Sequence, residues 1–274
     1  MPVQLDLSTY GSIPKRIHVS WKNKAILEDE SPLILNGLAN LKALNPDYIL
    51  EISDDKDVET YLKTHLKKWD YFKIKNKKIV EKIDLWRLLK LYHEGGIYVD
   101  IDRFCNIPFG SLIQEDTKCI LPTHGDIDFS QDLMISCKHN PLFETAIHYN
   151  LKGRYLLNPR GVFHLGPPIY MRAVTEVVFG VRHKRKPGAA VMAHFRDLLE
   201  NSKHFQTYKE DAPNDTIIFN YDARTFKKGN GMQKAEFYAA QNITPWANGF
   251  DKNTLIFTVI LGVLLLSLIL YVLL

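Results

Sequence analysis

The sequence has few cysteines and little excess charge. Its 274 residues include three cysteines, Cys105, Cys119 and Cys137, and no C-x-x-C pair. This number and spacing exclude a disulfide framework and a cysteine zinc site, so we expect reduced thiols and a domain that faces the cytosol. The net charge of +4 is too small to indicate nucleic-acid binding, although it suits an acidic ligand or an anionic membrane surface.

Charge is absent altogether from residues 255–274 (LIFTVILGVLLLSLILYVLL). A helix needs about 20 apolar residues to cross the bilayer core, whereas a buried core helix of that length would normally show a polar stripe. We therefore expect residues 254–274 to form a C-terminal transmembrane tail anchor. Residues 1–253 would then form the globular domain on the cytosolic face, and Lys252 agrees with the positive-inside rule.

Strand and helix patterns alternate through the first half of the chain. Runs of β-branched and aromatic residues predict strands at residues 16–21, 48–52 and 97–101. Apolar residues at helical spacing predict helices at residues 32–44, 58–66 and 79–94. This alternation is typical of βαβ units and predicts a mainly parallel sheet flanked by helices.

The pattern weakens after residue 110. Two further strands are predicted, at residues 119–122 and 133–136. Three further helices are predicted, at residues 142–151, 169–179 and 189–200. Residues 203–231 are polar and rich in Asn, Asp, Lys and Gly, which predicts a loop near the ligand.

The most informative stretch is residues 84–102, DLWRLLKLYHEGGIYVDID. Asp84 and Arg87 are three residues apart on the predicted helix and therefore share a face. Taken alone, they would equally suit a buried structural ion pair, because buried charges are normally paired. The Gly95–Gly96 pair ends the helix, and it permits a sharp turn and the close approach of a ligand to the backbone.

Asp100 and Asp102 end this stretch, directly after the third predicted strand. A period of two places both carboxylates on the same side, and like charges so close repel each other unless a cation joins them. Mg²⁺ and Mn²⁺ prefer oxygen ligands and commonly bind one or two carboxylates together with substrate phosphates. Because α/β sheets bind ligands beyond the carboxyl ends of their strands, we expect a divalent cation here.

The Asp/Arg helix, the Gly-Gly turn, the strand and the D-x-D together resemble the core of the DXD-type family 32 glycosyltransferases. Residues 13–23 (IPKRIHVSWKN) resemble the first strand of that family. The family includes membrane-bound mannosyltransferases and is related to the glucosylating domain of the large bacterial toxins. The resemblance covers residues 13–110 well, and it implies a GT-A, Rossmann-like fold and a retaining mechanism. It also implies a nucleotide-sugar donor such as a UDP- or GDP-hexose, Mn²⁺ or Mg²⁺, and a glycan or lipid acceptor.

The resemblance also implies roles for single residues. Trp21 would stack on the donor base, with a core tryptophan at a strand end as the alternative. Asp84 and Arg87 would hold the donor sugar hydroxyls and the diphosphate. Asp100 would face the ribose and the metal, and Asp102 would ligate the metal directly.

Two later segments resemble the family more weakly. Residues 242–246 (NITPW) resemble a motif of the toxin relatives in which Asn242 would complete the metal shell and Trp246 would touch the leaving phosphate. The histidine that many family members carry near this point is absent from the sequence. Asp132 is a candidate for the acceptor side or for the face of the anomeric carbon, and a solvated loop acid is the alternative.

Two other functions stay open at this point. A metal-dependent phosphodiesterase would also use paired carboxylates, although two-metal hydrolases usually need more acidic or histidine ligands clustered together. A non-catalytic nucleotide-sugar-binding membrane module would keep the fold without the chemistry. The basic tracts at residues 63–82 and 182–186 are expected to be solvated faces or to contact anionic lipid headgroups.

Overall fold

The computed structural model of the chain describes residues 5–27, 32–101, 108–124, 128–129, 131–152, 166–180 and 205–209, together with Val259. The strands are β1 (Arg16–Ser20), β2 (Ile49–Ser53), β3 (Gly96–Val99), β4 (Cys119–His124), β5 (Asp128–Phe129), β6 (Leu133–Ser136) and β7 (Phe205–Lys209). The helices are α1 (Pro32–Leu44), α2 (Asp55–His65), α3 (Lys68–Ile74), α4 (Ile79–Glu94), α5 (Pro141–Lys152) and α6 (Pro167–Ala173). Short 3-10 turns span Lys24–Leu27 and Phe109–Ser111, and α6 runs on into a π-helical turn, Val174–Val178.

The strands form one mixed sheet in the order β2-β1-β3-β6-β4-β5, and β7 pairs with β4. β1, β2 and β3 are parallel, as the βαβ pattern predicts, but β6 lies antiparallel between β3 and β4. The expectation of a mainly parallel sheet is therefore wrong for this half of the molecule. Only residues 125–127 separate β4 from β5, and so short a connection joins antiparallel strands, so β5 and β6 both return along β4 in the opposite direction.

The predicted elements of the first half are confirmed, with shifts of a few residues at their ends. Three later predictions need correction or lie outside the described residues. Part of the predicted polar loop at residues 203–231 is β7, whose Phe205 is in register with Cys119 of β4. The predicted helix at residues 169–179 divides into α6 and the π-helical turn, and the predicted helix at residues 189–200 lies outside the described part. Helix α3, inside the basic tract, was not predicted.

Two apolar clusters cover the two faces of the sheet. The first packs residues of α2, α4, α5 and α6 against Tyr98 and Met134. The second packs α1 and Phe109 against Ile17, Val19 and Trp21. Neighbouring residues of one strand contribute to opposite clusters, as the period of two requires, and the candidate site lies at the edge of the first cluster.

Gly95 and Gly96 make the turn between α4 and β3 with positive φ angles of 65° and 96°. A Cβ atom on Gly96 would lie 2.6 Å from the carbonyl oxygen of Arg16 in β1, closer than van der Waals contact permits. Both glycines are therefore needed for α4 to turn directly into β3 beside β1.

None of the helices in the described ranges is long and apolar enough to cross a membrane. The predicted span at residues 255–274 lies outside those ranges except for Val259. Cys119 and Cys137 are buried free thiols, as the cysteine count predicts, and Cys105 lies outside the described residues.

Candidate active site

Helix α4 carries Asp84 and Arg87 into the space between the helix and the sheet. Asp84 is 3% exposed and Arg87 is 5% exposed, so both charges are withdrawn from water. The Nη2 atom of Arg87 lies 3.1 Å from Oδ1 of Asp84, which confirms that the two side chains share one face of the helix. A buried charge pair of this kind is stable only if further partners satisfy its remaining donors and acceptors.

Asp100 supplies one of those partners from just beyond the end of β3. Its Oδ1 atom lies 3.4 Å from Nη1 of Arg87, and the Tyr98 hydroxyl donates a hydrogen bond to the same oxygen. The Asp100 amide donates to the carbonyl oxygen of Asp132 at 2.8 Å, which fixes the chain where the strand ends. The Asp100 side chain remains 31% exposed, so it lies between the buried pair and solvent.

Gln131 and Tyr98 complete the network, and neither was predicted as a site residue. The backbone carbonyl oxygen of Gln131 accepts a hydrogen bond from Arg87 Nη1 at 2.9 Å. The side-chain Nε2 of Gln131 donates a hydrogen bond to Asp84 Oδ1 at 3.2 Å. The Tyr98 ring lies 4.6 Å from the guanidinium carbon of Arg87. The period of two that relates Tyr98 to Asp100 in β3 is the signal that could have identified it.

Burial raises the pKa of Tyr98 well above its usual value, and this effect exceeds the opposing one of the Arg87 charge. The Tyr98 hydroxyl therefore stays protonated at neutral pH and acts as a donor to Asp100. This donor and the Arg87 guanidinium hold the Asp100 carboxylate in one orientation, and such preorganisation favours the binding of a charged ligand.

The network offers carboxylate oxygens suited to a divalent cation. Arg87 contacts the carboxylates of Asp84 and Asp100. A partly exposed carboxylate beyond a strand end is the oxygen ligand that Mg²⁺ and Mn²⁺ prefer. Asp100 therefore fits the predicted role, while Asp102 lies outside the described residues.

The remaining predicted site residues are Asp132, Trp21, Asn242 and Trp246. Asp132 lies beside Asp100 through the backbone hydrogen bond, and its side chain is half-buried. Trp21 is 9% exposed and belongs to the apolar cluster on the opposite face of the sheet from Tyr98, which agrees with the alternative of a core tryptophan. Asn242 and Trp246 lie outside the described residues, so their roles stay predictions.

A second group of charged residues lies at the other end of α4. The ligand atoms of His18, Glu51 and Glu94 lie within 4.8 Å of one another, as a metal site would require. Two cations are already present, because Lys90 Nζ lies 2.8 Å from Glu94 and Arg16 pairs with Glu51. Because these cations balance both carboxylates, the arrangement is a structural ion network.

His18 and Glu51 are held by several partners in this structural network. His18 is fully buried, with Nδ1 at 3.1 Å from Glu51 Oε2 and Nε2 at 2.9 Å from the Gly95 carbonyl oxygen. The hydrogen bond from His18, helped by Lys90 and Arg16, lowers the pKa of Glu51 to about 2. With a rise of 1.5 Å per residue, the ten residues from Asp84 to Glu94 place these two members of the networks about 15 Å apart along α4.

Comparison with known proteins finds a family match over this part of the chain. Residues 14–118 match the family model described as "Glycosyltransferase sugar-binding region containing DXD motif". That range includes β1, α4, β3 and the D-x-D, so the resemblance drawn from the sequence is confirmed over the stretch that carries it.

The chain is also similar in sequence to several mannosyltransferases and related synthases of yeasts. The chain is 27% identical over 164 residues to inositol phosphoceramide mannosyltransferase 1 of Schizosaccharomyces pombe, covering 58% of this chain and 50% of that protein. It is 30% identical over 137 residues to mannosyl phosphorylinositol ceramide synthase CSH1 of Saccharomyces cerevisiae, covering 49% of this chain and 34% of that protein. The chain thus spans half or less of the length of these relatives.

A solved structure supports the fold. The chain superimposes on the structure of PaToxG Glycosyltransferase with a TM-score of 0.51, covering 70% of this chain and 79% of that one at 20% identity. At that identity the likeness concerns the fold alone, and it confirms a glycosyltransferase-like arrangement of the mixed sheet and its helices.

Proposed function

We propose that the protein is a DXD-type glycosyltransferase that transfers a hexose from a nucleotide sugar to a glycan or lipid acceptor with the help of Mn²⁺ or Mg²⁺. The observation that carries the proposal is the buried Asp84–Arg87–Asp100 network at the carboxyl end of β3. Its ion pair is tied to a partly exposed carboxylate in the region matched by the sugar-binding family model.

We propose separate roles in donor binding for Arg87, Asp84, Gln131, Asp100 and Asp102. Arg87 brings a fixed positive charge, which suits the diphosphate of a donor because a guanidinium grips oxyanions in a planar fork. Asp84 and Gln131 orient that guanidinium, and Asp84 is also a hydrogen-bond acceptor for sugar hydroxyls. Asp100 and Asp102 are the proposed cation ligands, and the bound cation would stabilise the departing nucleoside diphosphate as a Lewis acid.

Asp132 is the residue proposed for the acceptor side. It lies next to Asp100, just beyond the ladder between β3 and β6, and its carbonyl oxygen accepts from the Asp100 amide, so we propose that its half-buried carboxylate faces the acceptor or the anomeric carbon. Trp21 and Trp246 stay candidates for the donor base and the leaving phosphate, and Asn242 stays a candidate metal ligand. We propose retention of the anomeric configuration on the family resemblance alone.

The names of the relatives guide the choice of substrates. Because the relatives include inositol phosphoceramide mannosyltransferases, we propose a mannosyl donor and a phosphoinositol-bearing sphingolipid as the first substrates to test. A lipid acceptor also suits the uncharged segment at residues 255–274, which we propose anchors a catalytic domain formed by residues 1–253 to a membrane. The proposed catalytic domain would face the cytosol.

The deciding experiment is a screen of UDP- and GDP-hexoses for Mn²⁺-dependent hydrolysis and transfer. We expect one donor to be consumed only with the metal, and Asp102→Asn or Asp100→Asn to abolish the reaction because each removes a ligand charge with little change in volume. Asp47→Asn is the matched control, because Asp47 is exposed and pairs with Lys15.

Each alternative function has its own outcome in this screen. Binding of a nucleotide sugar without turnover would favour a non-catalytic binding module. Cleavage of phosphodiesters with no use of any nucleotide sugar would favour a phosphodiesterase. Wild-type activity in Asp102→Asn after the metal is stripped with EDTA would contradict the metal role.

A further inference from the structure

Helix α3 exposes two large aromatic side chains. Trp69 is 65% exposed and Phe72 is 45% exposed, and their rings stack with centroids 5.5 Å apart and planes 11° from parallel. Among the described residues five large hydrophobic side chains are exposed, and three of them, Trp69, Phe72 and Ile79, fall within residues 69–79. Clustered exposed apolar surface of this kind marks an interaction site more often than isolated exposed residues do.

Lysines flank the aromatic pair along the chain. Residues 63–82 contain eight lysines and two acidic residues, which gives the tract a net charge of +6. Lys75 Nζ lies 4.7 Å from the centre of the Phe72 ring, and Asp70 is paired with Lys73 at 2.8 Å. The exposed lysines are Lys63, Lys67, Lys68 and Lys75.

We propose that α3 and the turn that follows it, residues 67–79, form a docking surface for an anionic lipid bilayer. Tryptophan and phenylalanine favour the interface between headgroups and acyl chains. Lysines beside them gain electrostatic attraction from anionic lipids. Exposed stacked aromatics and the exposed Lys67, Lys68 and Lys75 on one short segment match both features of such a surface. The docking surface is an inference separate from sugar transfer.

The docking surface lies at the same end of α4 as the candidate active site. Residues 75–78 join α3 to α4, and Asp84 follows Ile79 by five residues, about 7.5 Å along the helix. A bilayer bound at the docking surface would therefore lie near the Asp84–Arg87–Asp100 network. If the proposed function is correct, this orientation presents a lipid headgroup to the site.

The test uses the full chain in vesicles, so that any membrane anchor is present in every sample. Tryptophan fluorescence is measured in phosphatidylserine-containing vesicles that also carry brominated lipids, which quench only tryptophans at bilayer depth. The chain has four tryptophans, and Trp69→Phe isolates the signal of Trp69 while keeping an aromatic ring. We expect quenching in the wild type and loss of that component in Trp69→Phe, with buried Trp86 unquenched.

The charge component is tested with Lys67→Gln, Lys68→Gln and Lys75→Gln together. At roughly fivefold for each lysine near the surface, the triple variant should favour the docked orientation about 100-fold less, and Trp69 quenching should disappear. Raising the salt concentration should weaken the quenching in the wild type. Lys42→Gln, Lys138→Gln and Lys152→Gln together are the matched control, because they remove the same charge from α1 and α5 and the residues before α5, and quenching should persist.

The contrary outcomes are distinct. No Trp69 quenching in anionic vesicles overturns the docking surface, and so does equal quenching in vesicles of neutral phosphatidylcholine. Binding of a soluble acidic polypeptide without quenching would assign the surface to a protein partner and would also overturn it. Donor hydrolysis by Trp69→Phe should match the wild type. If no nucleotide sugar is used although quenching is intact, the proposed function fails and the docking surface stands.

Discussion

Arg87→Lys gives the sharpest test of the buried network. The substitution keeps the positive charge but replaces a planar fork with a single ammonium group. Arg87 reaches Asp84, Asp100 and the Gln131 carbonyl with two different nitrogens. One ammonium group cannot span all three, so at least one hydrogen bond to a charged group is lost, at about 1.5–3 kcal/mol.

The expected cost to stability is about 2–3 kcal/mol, because the lost hydrogen bond and the weaker contact with the Tyr98 ring add together. For a domain of this size that lowers the melting temperature by roughly 5–10 °C. We expect the rate of sugar transfer to fall by more than the loss of folded protein accounts for. Losing one charged hydrogen bond to the donor diphosphate lowers the rate per folded molecule by roughly 10- to 100-fold.

Arg16→Lys is the matched control for this experiment. Arg16 also faces two carboxylates, Glu51 and Glu94, but it belongs to the structural network at the other end of α4. Its side chain is 40% exposed, so we expect a loss of less than about 1 kcal/mol and unchanged donor hydrolysis. Thermal melts and initial rates are measured on both variants. Equal rates per folded molecule in Arg87→Lys and the wild type would refute a role in donor binding and leave a structural ion pair.

Two further predictions concern the structural network and the membrane. The pKa of Glu51 is lowered from 4.5 to about 2. The ionised carboxylate therefore adds to the free energy of unfolding above pH 4.5, and this contribution is lost as pH falls towards 2. At pH 7, Glu51→Gln should lower the free energy of unfolding by up to about 3 kcal/mol. Urea midpoints should converge between wild type and variant near pH 2, and a pH-independent difference would contradict this. Truncation after Lys252 should leave slow donor hydrolysis but impair transfer to a membrane acceptor; equal transfer by both forms would show that the acceptor is soluble.

The central part of the site could be predicted from the sequence because its geometry is local. The three-residue spacing of Asp84 and Arg87 places them together on any α-helix. The two-residue period carries Asp100 to the face of β3 that also bears Tyr98. Between them the turn at Gly95–Gly96 returns the chain beside α4, so one continuous segment of about 17 residues supplies most of the network.

Features that depend on distant pairing could not be predicted in the same way. β7 lies within a polar segment, and only its register with β4 makes it a strand. Gln131 reaches Asp84 across 47 residues of sequence, and nothing in its local pattern indicates a buried partner. Helix α3 is seven residues long and rich in lysine, too short for its apolar spacing to stand out from a charge run.

The two networks on α4 differ in how their charged side chains are arranged. At the end of α4 next to β3, Glu94 and Glu51 meet Lys90, Arg16 and His18, and each carboxylate has a cation within 3.6 Å. At the other end, Arg87 contacts the carboxylates of Asp84 and Asp100, and the Asp100 side chain is 31% exposed.

This arrangement suits a donor site. Asp100 offers partly exposed carboxylate oxygens of the kind that Mg²⁺ and Mn²⁺ prefer, and the fixed positive charge of Arg87 lies beside them. We propose that a divalent cation would bind the carboxylate side of Asp84–Arg87–Asp100 and that Arg87 would face the phosphates of the donor. The same helix therefore fixes the fold at one end and, we propose, binds the donor at the other.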